Sequence, residues 1–166
     1  MTTRAALEAD VKAHPFLIGM SEHHVRLLAD CAMLTHFPAE TTIFAQGDTA
    51  NRFYLIQRGT VVLESDAAEE KVEVDRISGG DLLGWSWLFP PYVWHFTARS
   101  VEPTSAIFFY ATVLRDYCDK DHSLGFELFK RMSEVMTRRL QSARTRLLSA
   151  YSTKGVPLPP PRPARS

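Results

Sequence analysis

Two periods of hydrophobic spacing divide the chain. Near the N-terminus Ala5, Leu7, Ala9 and Val11 predict a short amphipathic helix over residues 4–14, ended by Pro15. Phe16 to Ile18 form a short apolar staple, and Ser21 with Glu22 reads as the start of a second helix. Val25, Leu28, Ala29 and Ala32 fall at i, i+3, i+4 and i+7, which gives that helix one apolar face. From Met33 the period drops from 3.6 to 2. Strand-like runs cover 33–37, 42–46, 52–57, 60–64, 71–77, about 94–101 and 105–110. Turn signals separate them at Gln46-Gly47-Asp48, Arg58-Gly59, Gly79-Gly80-Asp81 and Glu102-Pro103-Thr104, and a polar loop is expected from Ser65 to Glu70. Short strands at regular spacing imply an antiparallel barrel or jelly roll. The expected fold class is therefore mainly β with flanking helices.

Helical spacing returns after Tyr110. Ala111 to Cys118 predict a short helix, and Asp121, His122 and Ser123 offer a cap for a long one. Phe129, Met132, Met136, Leu140, Ala143, Leu147 and Tyr151 recur at steps of three or four, one stripe on a helix of about 27 residues. Such a helix is about 40 Å long, more than a small barrel needs for cover. Part of the stripe, Met132, Met136, Leu140, Ala143 and Leu147, is therefore expected to form a homodimer seam. The segment after Gly155 holds five of the ten prolines and is expected to be disordered or polyproline II. The expected organisation is N-terminal helices over 1–32, a β-roll over 33–110, C-terminal helices over 111–151, and a Pro-rich tail over 152–166.

The most unusual stretch is Gly79 to Ala98, which holds all three tryptophans and a Pro-Pro step. Gly84 lets a ligand or another strand approach the backbone closely. Pro90 and Pro91 limit any helix here to one or two turns before a new strand. Either this segment lines a pocket, or its rings fill the mouth of the barrel.

Composition narrows the function. The formal net charge is zero. Its distribution is uneven: residues 1–123 carry 10 Lys/Arg against 17 Asp/Glu, a net of −7, and residues 124–166 carry 9 against 2, a net of +7. That pattern suits a helix resting on an acidic body or a basic tail for an acidic partner. The first residues lack the apolar run of a signal peptide, and no stretch approaches the roughly 20 apolar residues of a membrane helix. A cytoplasmic chain without membrane association is expected. Cys31 and Cys118 have no metal-like spacing. His23 and His24, adjacent on a helix, are expected on different faces and not as a chelating pair, while His14, His36 and His122 read as surface or satisfied core histidines. No nucleophile stands in a catalytic frame, so neither an enzyme nor a metal protein is expected.

Three motifs together carry a resemblance. Thr42-Ile-Phe-Ala-Gln-Gly-Asp48, Phe53-Tyr-Leu-Ile-Gln-Arg-Gly59 and Gly80-Asp-Leu-Leu-Gly84 resemble the glycine turns of the cyclic nucleotide-binding domain family in order and spacing. The resemblance spans about residues 16–148 and is to the sensor half of catabolite activator and fumarate–nitrate regulator type transcription factors. It implies an eight-stranded jelly roll, a phosphate-binding cassette over 79–98 and a helix that dimerises. It also implies a candidate ligand site made of Gly84, Trp85, Ser86, His95, Phe96, Thr97, Ala98 and Arg99. Nucleotide-binding members have a Glu after the glycine, for the ribose, and later an Arg for the cyclic phosphate. Here Trp85 stands at the Glu position, and the Arg position falls on His95 or Phe96. Neither offers the planar charged fork of Arg. Arg99 could compensate if its strand turns it inward. The family's helix-turn-helix output domain needs some 70 residues, and about 15 follow the long helix, so sequence-specific DNA binding is not expected. The reading is a stand-alone sensor or regulatory domain. It takes a cyclic nucleotide or another small aromatic ligand in the cassette and signals to a protein partner through the long helix. The alternative is a degenerate domain with an aromatic-filled pocket, acting as a dimeric interaction module.

Overall fold

The computed structural model describes residues 4–67 and 70–155. Helix α1 (Arg4–Ala13) leads through a 3-10 turn at Pro15–Leu17 into α2 (Glu22–Cys31), whose first turn is capped by the Ser21 hydroxyl accepting from the His24 amide at 3.2 Å. Eight strands follow among the described residues: β1 (Ala32–Phe37), β2 (Thr41–Phe44), β3 (Arg52–Arg58), β4 (Thr60–Ala67), β5 (Glu70–Ser78), β6 (Leu82–Leu83), β7 (Thr97–Ser100) and β8 (Thr104–Tyr110). A 3-10 turn at Ser86–Leu88 lies between β6 and β7. Helices α3 (Ala111–Lys120) and α4 (His122–Lys154) complete the described chain.

The strands form two antiparallel four-stranded sheets, in the orders β1-β8-β3-β6 and β2-β7-β4-β5. Alternation along each strand sends one face inward. Tyr54, Ile56, Ala106 and Phe108 from the first sheet meet Val61, Leu63, Ile77 and Ala98 from the second in one buried cluster. This is the expected jelly roll with N-terminal helices and a long C-terminal helix. Gly59 makes the β3–β4 turn possible: its φ is +94°, and a Cβ there would sit 2.7 Å from the Pro103 carbonyl oxygen.

Several boundaries differ from expectation for local reasons. Ser65 to Ala67 and Glu70, expected in a polar loop, are strand residues. The ladder continues through Ser65↔Val72, Asp66↔Lys71 and Ala67↔Glu70, because pairing satisfies the backbone even where both faces are wet, and Asp66 opposes Lys71. Strand β7 begins at Thr97 rather than near residue 94. The Trp94 amide instead donates to the Asp48 carbonyl at 2.8 Å, and Trp94 accepts from the Gly47 amide at 2.8 Å. The long helix runs three residues past Tyr151, so Ser152 to Lys154 are helical, and the expected Pro-rich tail from residue 156 lies outside the described residues.

The chain divides into two compact units, Met1–Leu128 and Phe129–Ser166. In α4 the buried positions are Leu124, Leu128, Met132 and Val135. Of the stripe expected from Phe129 through Leu147, Met132 is buried, Met136 is half-buried, and Phe129, Leu140, Ala143 and Leu147 are exposed in the single chain. Spacing alone admits both registers, since Leu124, Leu128, Met132 and Val135 also recur at steps of four and three.

His14 is a satisfied core histidine. Its Nδ1 accepts from the Phe16 amide at 3.2 Å, and its Nε2 then donates to the Ile56 carbonyl at 2.9 Å. That assignment needs the neutral ring. Burial pushes its pKa below the ordinary 6.5, against the opposing pull of the Ile56 carbonyl. The unfolded chain therefore binds this proton more readily. Stability linked to His14 is complete above pH 6.5 and declines as pH falls through that value towards the lower folded-state pKa. Urea melts at about pH 7.5 and about pH 5 should show a larger loss for the wild type than for His14→Gln. Equal losses would mean that His14 does not carry the linkage.

Candidate functional site

The cassette segment leaves the first sheet at β6 and returns to the second at β7. Its entrance is the Gly79-Gly80 turn, where the Gly80 amide donates to the Ile56 carbonyl at 2.8 Å. A Cβ on Gly79 would meet the Gln57 carbonyl oxygen at 2.8 Å, so the turn lies directly on β3. After Leu83 the chain takes φ +88° at Gly84, makes the 3-10 turn, and passes through a cis Pro90–Pro91 bond to Tyr92. Its return limb is tied to the loop after β2. The Ala50 amide donates to the Tyr92 carbonyl at 2.7 Å, and Thr49 bridges to Val93. The Gln46 amide donates to the Thr97 hydroxyl at 3.0 Å.

These ties deliver Trp94 onto Gly84. A Cβ on Gly84 would fall 2.5 and 2.6 Å from Cζ3 and Cη2 of the Trp94 ring, nearer than any real contact. The face of the indole stacks on Phe44, with ring centres 3.8 Å apart and planes within 9°. Phe44 continues to Tyr54 at 6.4 Å, and Tyr54 to Phe108 at 6.1 Å. Trp94 is buried. The close approach anticipated at Gly84 is thus made by the chain's own indole. Trp87 is fully buried elsewhere, against Phe53, which also meets Phe16 and Phe109, and Trp85 is half-buried.

The residues expected to hold a ligand do not converge. Phe96 and Ala98 pack on the inter-sheet cluster, while Thr97 pairs with Glu64 and Arg99 with Val62 across the ladder, on the opposite face. Ser86 is buried and His95 is exposed. Arg99 therefore does not turn inward. Its Nη2 and Nε donate to Oε1 of Glu64 at 2.7 and 3.3 Å, and its Nη1 donates to Oε2 of Glu40 at 2.6 Å. Glu64, then Glu40, holds the guanidinium proton more tightly than usual. Glu64 is itself buried, so withdrawing Arg99 would strand a buried carboxylate. Phe44, Tyr54, Glu40 and Glu64 were not singled out in the sequence. An aromatic alternating into β2 beside a glycine-ended β6 was the available signal.

A second constellation corrects the expectation for the histidine pair. The Nε2 atoms of His23 and His24 lie 3.1 and 3.5 Å from the same oxygen, Oδ2 of Asp121. They lie at the start of α2, where His23 is exposed and His24 half-buried, and both rings reach across to the α3–α4 junction. Adjacent side chains differ by about 100° around a helix, but a long imidazole at a helix start can still swing to a shared partner. Oδ1 of Asp121 accepts from the Ser123 amide, the Leu124 amide and the Ser123 hydroxyl, at 3.1, 3.1 and 2.6 Å, capping α4. Those bonds, Ser123 first, hold its carboxyl well below the usual carboxylate range.

The contact between Gly84 and Trp94 predicts a strong, partner-dependent substitution effect. Gly84→Ala should cost about 2–4 kcal/mol, combining roughly 1–3 of overpacking with about 1 of left-handed strain. In a Trp94→Leu background the same change should cost only about 1 kcal/mol. Denaturant melts of the four-member cycle measure the coupling, and additive losses would refute the contact.

A family model described as a cyclic nucleotide-binding domain matches residues 34–121, more than half of the chain. No curated protein matches. Among solved structures the chain is similar to a cyclic nucleotide-binding domain from Methylobacillus flagellatus KT, at 17% identity and TM-score 0.75, covering 89% of this chain and 83% of that one. It is also similar to the sensor domain of the transcriptional regulator DNR from Pseudomonas aeruginosa, at 16% identity and TM-score 0.68, covering 85% and 95%. A third is the regulatory subunit of a cAMP-independent protein kinase A from Trypanosoma brucei, at 17% identity and TM-score 0.71, covering 86% and 49%. Identities this low speak for the fold alone. By the family match over more than half its length, the chain belongs to the cyclic nucleotide-binding domain family, whose domains are regulatory rather than catalytic.

Proposed function

We propose that this domain regulates without a cyclic nucleotide, its cassette being occupied by Trp94, and that it acts as a dimeric interaction module through α4. The observation that carries the reading is the indole lodged between Gly84 and Phe44. Two further features support it. The positions where the family resemblance places a phosphate-binding arginine are an exposed His95 and a core-packed Phe96. The nearby cation, Arg99, faces the other way and is held by Glu64 and Glu40. The residues present do not fit a cyclic nucleotide, because an unpaired buried phosphate would cost several kcal/mol. One solved neighbour belongs to a kinase described as cAMP-independent, so this fold is compatible with regulation of that kind.

The interaction surface in this reading is the C-terminal part of α4. Every residue from Gln141 to Ala150 is exposed, and Leu140 is 71% and Leu147 53% exposed. Leu140, Ala143 and Leu147, following the half-buried Met136, form the seam on which a second copy would pack. No helix of the described residues is long and apolar enough to cross a membrane.

Tryptophan fluorescence and calorimetry with cyclic AMP and cyclic GMP up to about 1 mM should show no binding to the wild type. A saturable response below that concentration would overturn the occupied-cassette reading and favour a displaceable Trp94.

The dimer is tested separately by light scattering, which should give about twice the 18.8 kDa chain mass for the wild type and the single-chain mass for Leu140→Asp. A monomeric wild type would retire the seam.

A further inference from the structure

We propose that His23, His24 and Asp121 form a binding site for a divalent transition-metal ion, with zinc the best match. The three donor atoms, Nε2 of each imidazole and a carboxylate oxygen, all lie within 4.8 Å of one another. Two of the separations are already 3.1 and 3.5 Å. A tetrahedral zinc with bonds of about 2.0–2.2 Å spaces its ligands by about 3.3 Å. The two imidazole nitrogens, within 4.8 Å of each other, then need to close by at most about 1.5 Å.

The chemistry of the donors selects the ion. Two neutral imidazoles and one carboxylate form a borderline-soft set suited to zinc, cobalt or nickel. Calcium and magnesium would require several more oxygens. Three protein ligands leave one position for water, and the exposure of the His23 side chain, 68%, leaves that side open to solvent.

The carboxylate is also oriented in advance. Oδ1 of Asp121 is fully engaged by Ser123 and Leu124, which turns Oδ2 towards the imidazoles. Hydrogen bonding that fixes a ligand in this way is what an effective metal site needs outside its first sphere. On the other side the His24 side chain is only 12% exposed, and its Nε2 would exchange the Ser123 hydroxyl, 3.0 Å away, for the ion. The carboxylate is thus held by the cap and His24 by burial, and His23 closes from the surface. An ion here would tie α2 to the first turn of α4, elements 98 residues apart in sequence at the His23–Asp121 contact.

Calorimetric titration of zinc into the full chain should show one ion bound per chain. An excess of about 100 times the dissociation constant should raise the folded-to-unfolded ratio about 100-fold, read as a zinc-dependent rise in melting temperature. His23→Gln changes an exposed side chain, and Asp121→Asn keeps an oxygen for the helix cap. Each should weaken zinc binding at least about tenfold while the zinc-free melting curve stays cooperative. His36→Gln and His95→Gln should leave binding unchanged. Absence of both heat and stabilisation, or zinc binding that survives His23→Gln and Asp121→Asn, would overturn the proposal.

Discussion

The indole of Trp94 lies where a side chain on residue 84 would have to be, and the arrangement of the cassette follows from that exclusion. Gly84 has φ +88° and no Cβ, so β6 can end abruptly and the ring can lie against the bare backbone. Phe44 stacks on the face of the same ring. Burying about 150–250 Å² of indole is worth about 4–6 kcal/mol at 25 cal/mol per Å², an upper estimate. A ligand entering between Gly84 and Phe44 must offset that loss and the backbone ties that hold residues 92–94 to residues 47–50. A weakly held molecule cannot do so. The glycine that admits close approach in this fold has been taken by an internal ring.

Strand alternation makes the electrostatics consistent with that occupancy. Along β7 the inward positions are Phe96 and Ala98, and the charged residue falls on the opposite face. Moving Arg99 inward would require a one-residue slip of β7 against β4, which would also expel Ala98 from the inter-sheet cluster. It would leave Glu64, buried and bonded to Arg99 at 2.7 Å, without its counter-charge. Removing one partner of such a pair typically costs about 3–5 kcal/mol. The aromatic occupant and the carboxylate clamp are therefore two expressions of one register.

Period and punctuation made most of the fold legible: the change from 3.6 to 2 near Met33, the glycine turns and the return of helical spacing after Tyr110 all lie in the local chain. What was not legible depended on contacts between distant residues. Nothing near Arg99 in sequence indicates Glu64, 35 residues away, and nothing near His23 and His24 indicates Asp121. Adjacent histidines violate the helical spacing of a chelating pair, and they meet only because α3 ends beside the start of α2. The burial along α4 was not legible for a different reason. Two registers of apolar residues coexist on that helix, and burial of Leu124, Leu128, Met132 and Val135 is decided by packing rather than by spacing. The family resemblance placed a cassette over residues 79–98, but an absent Glu and Arg could not say which ring lies against Gly84.

The two buried tryptophans anchor the cassette on opposite faces of β3. Phe53 and Tyr54 are neighbours in that strand and point to different sides. Trp87 joins the Phe53 side with Phe16 and Phe109, whereas Trp94 joins the Tyr54 side through Phe44. A displacement of the segment between them must therefore loosen aromatic packing on both sides of the sheet. Arg115 of α3 reads that segment directly: its Nη1 donates to the Trp87 carbonyl at 2.6 Å, and its guanidinium lies over the Tyr92 ring at 4.5 Å. Six residues further along, the same stretch of chain ends in Asp121, which caps α4 and receives the two histidines of α2. Arg115 thus gives a movement of the segment between the two tryptophans a direct route to α3. That route runs through a side chain that binds backbone and ring.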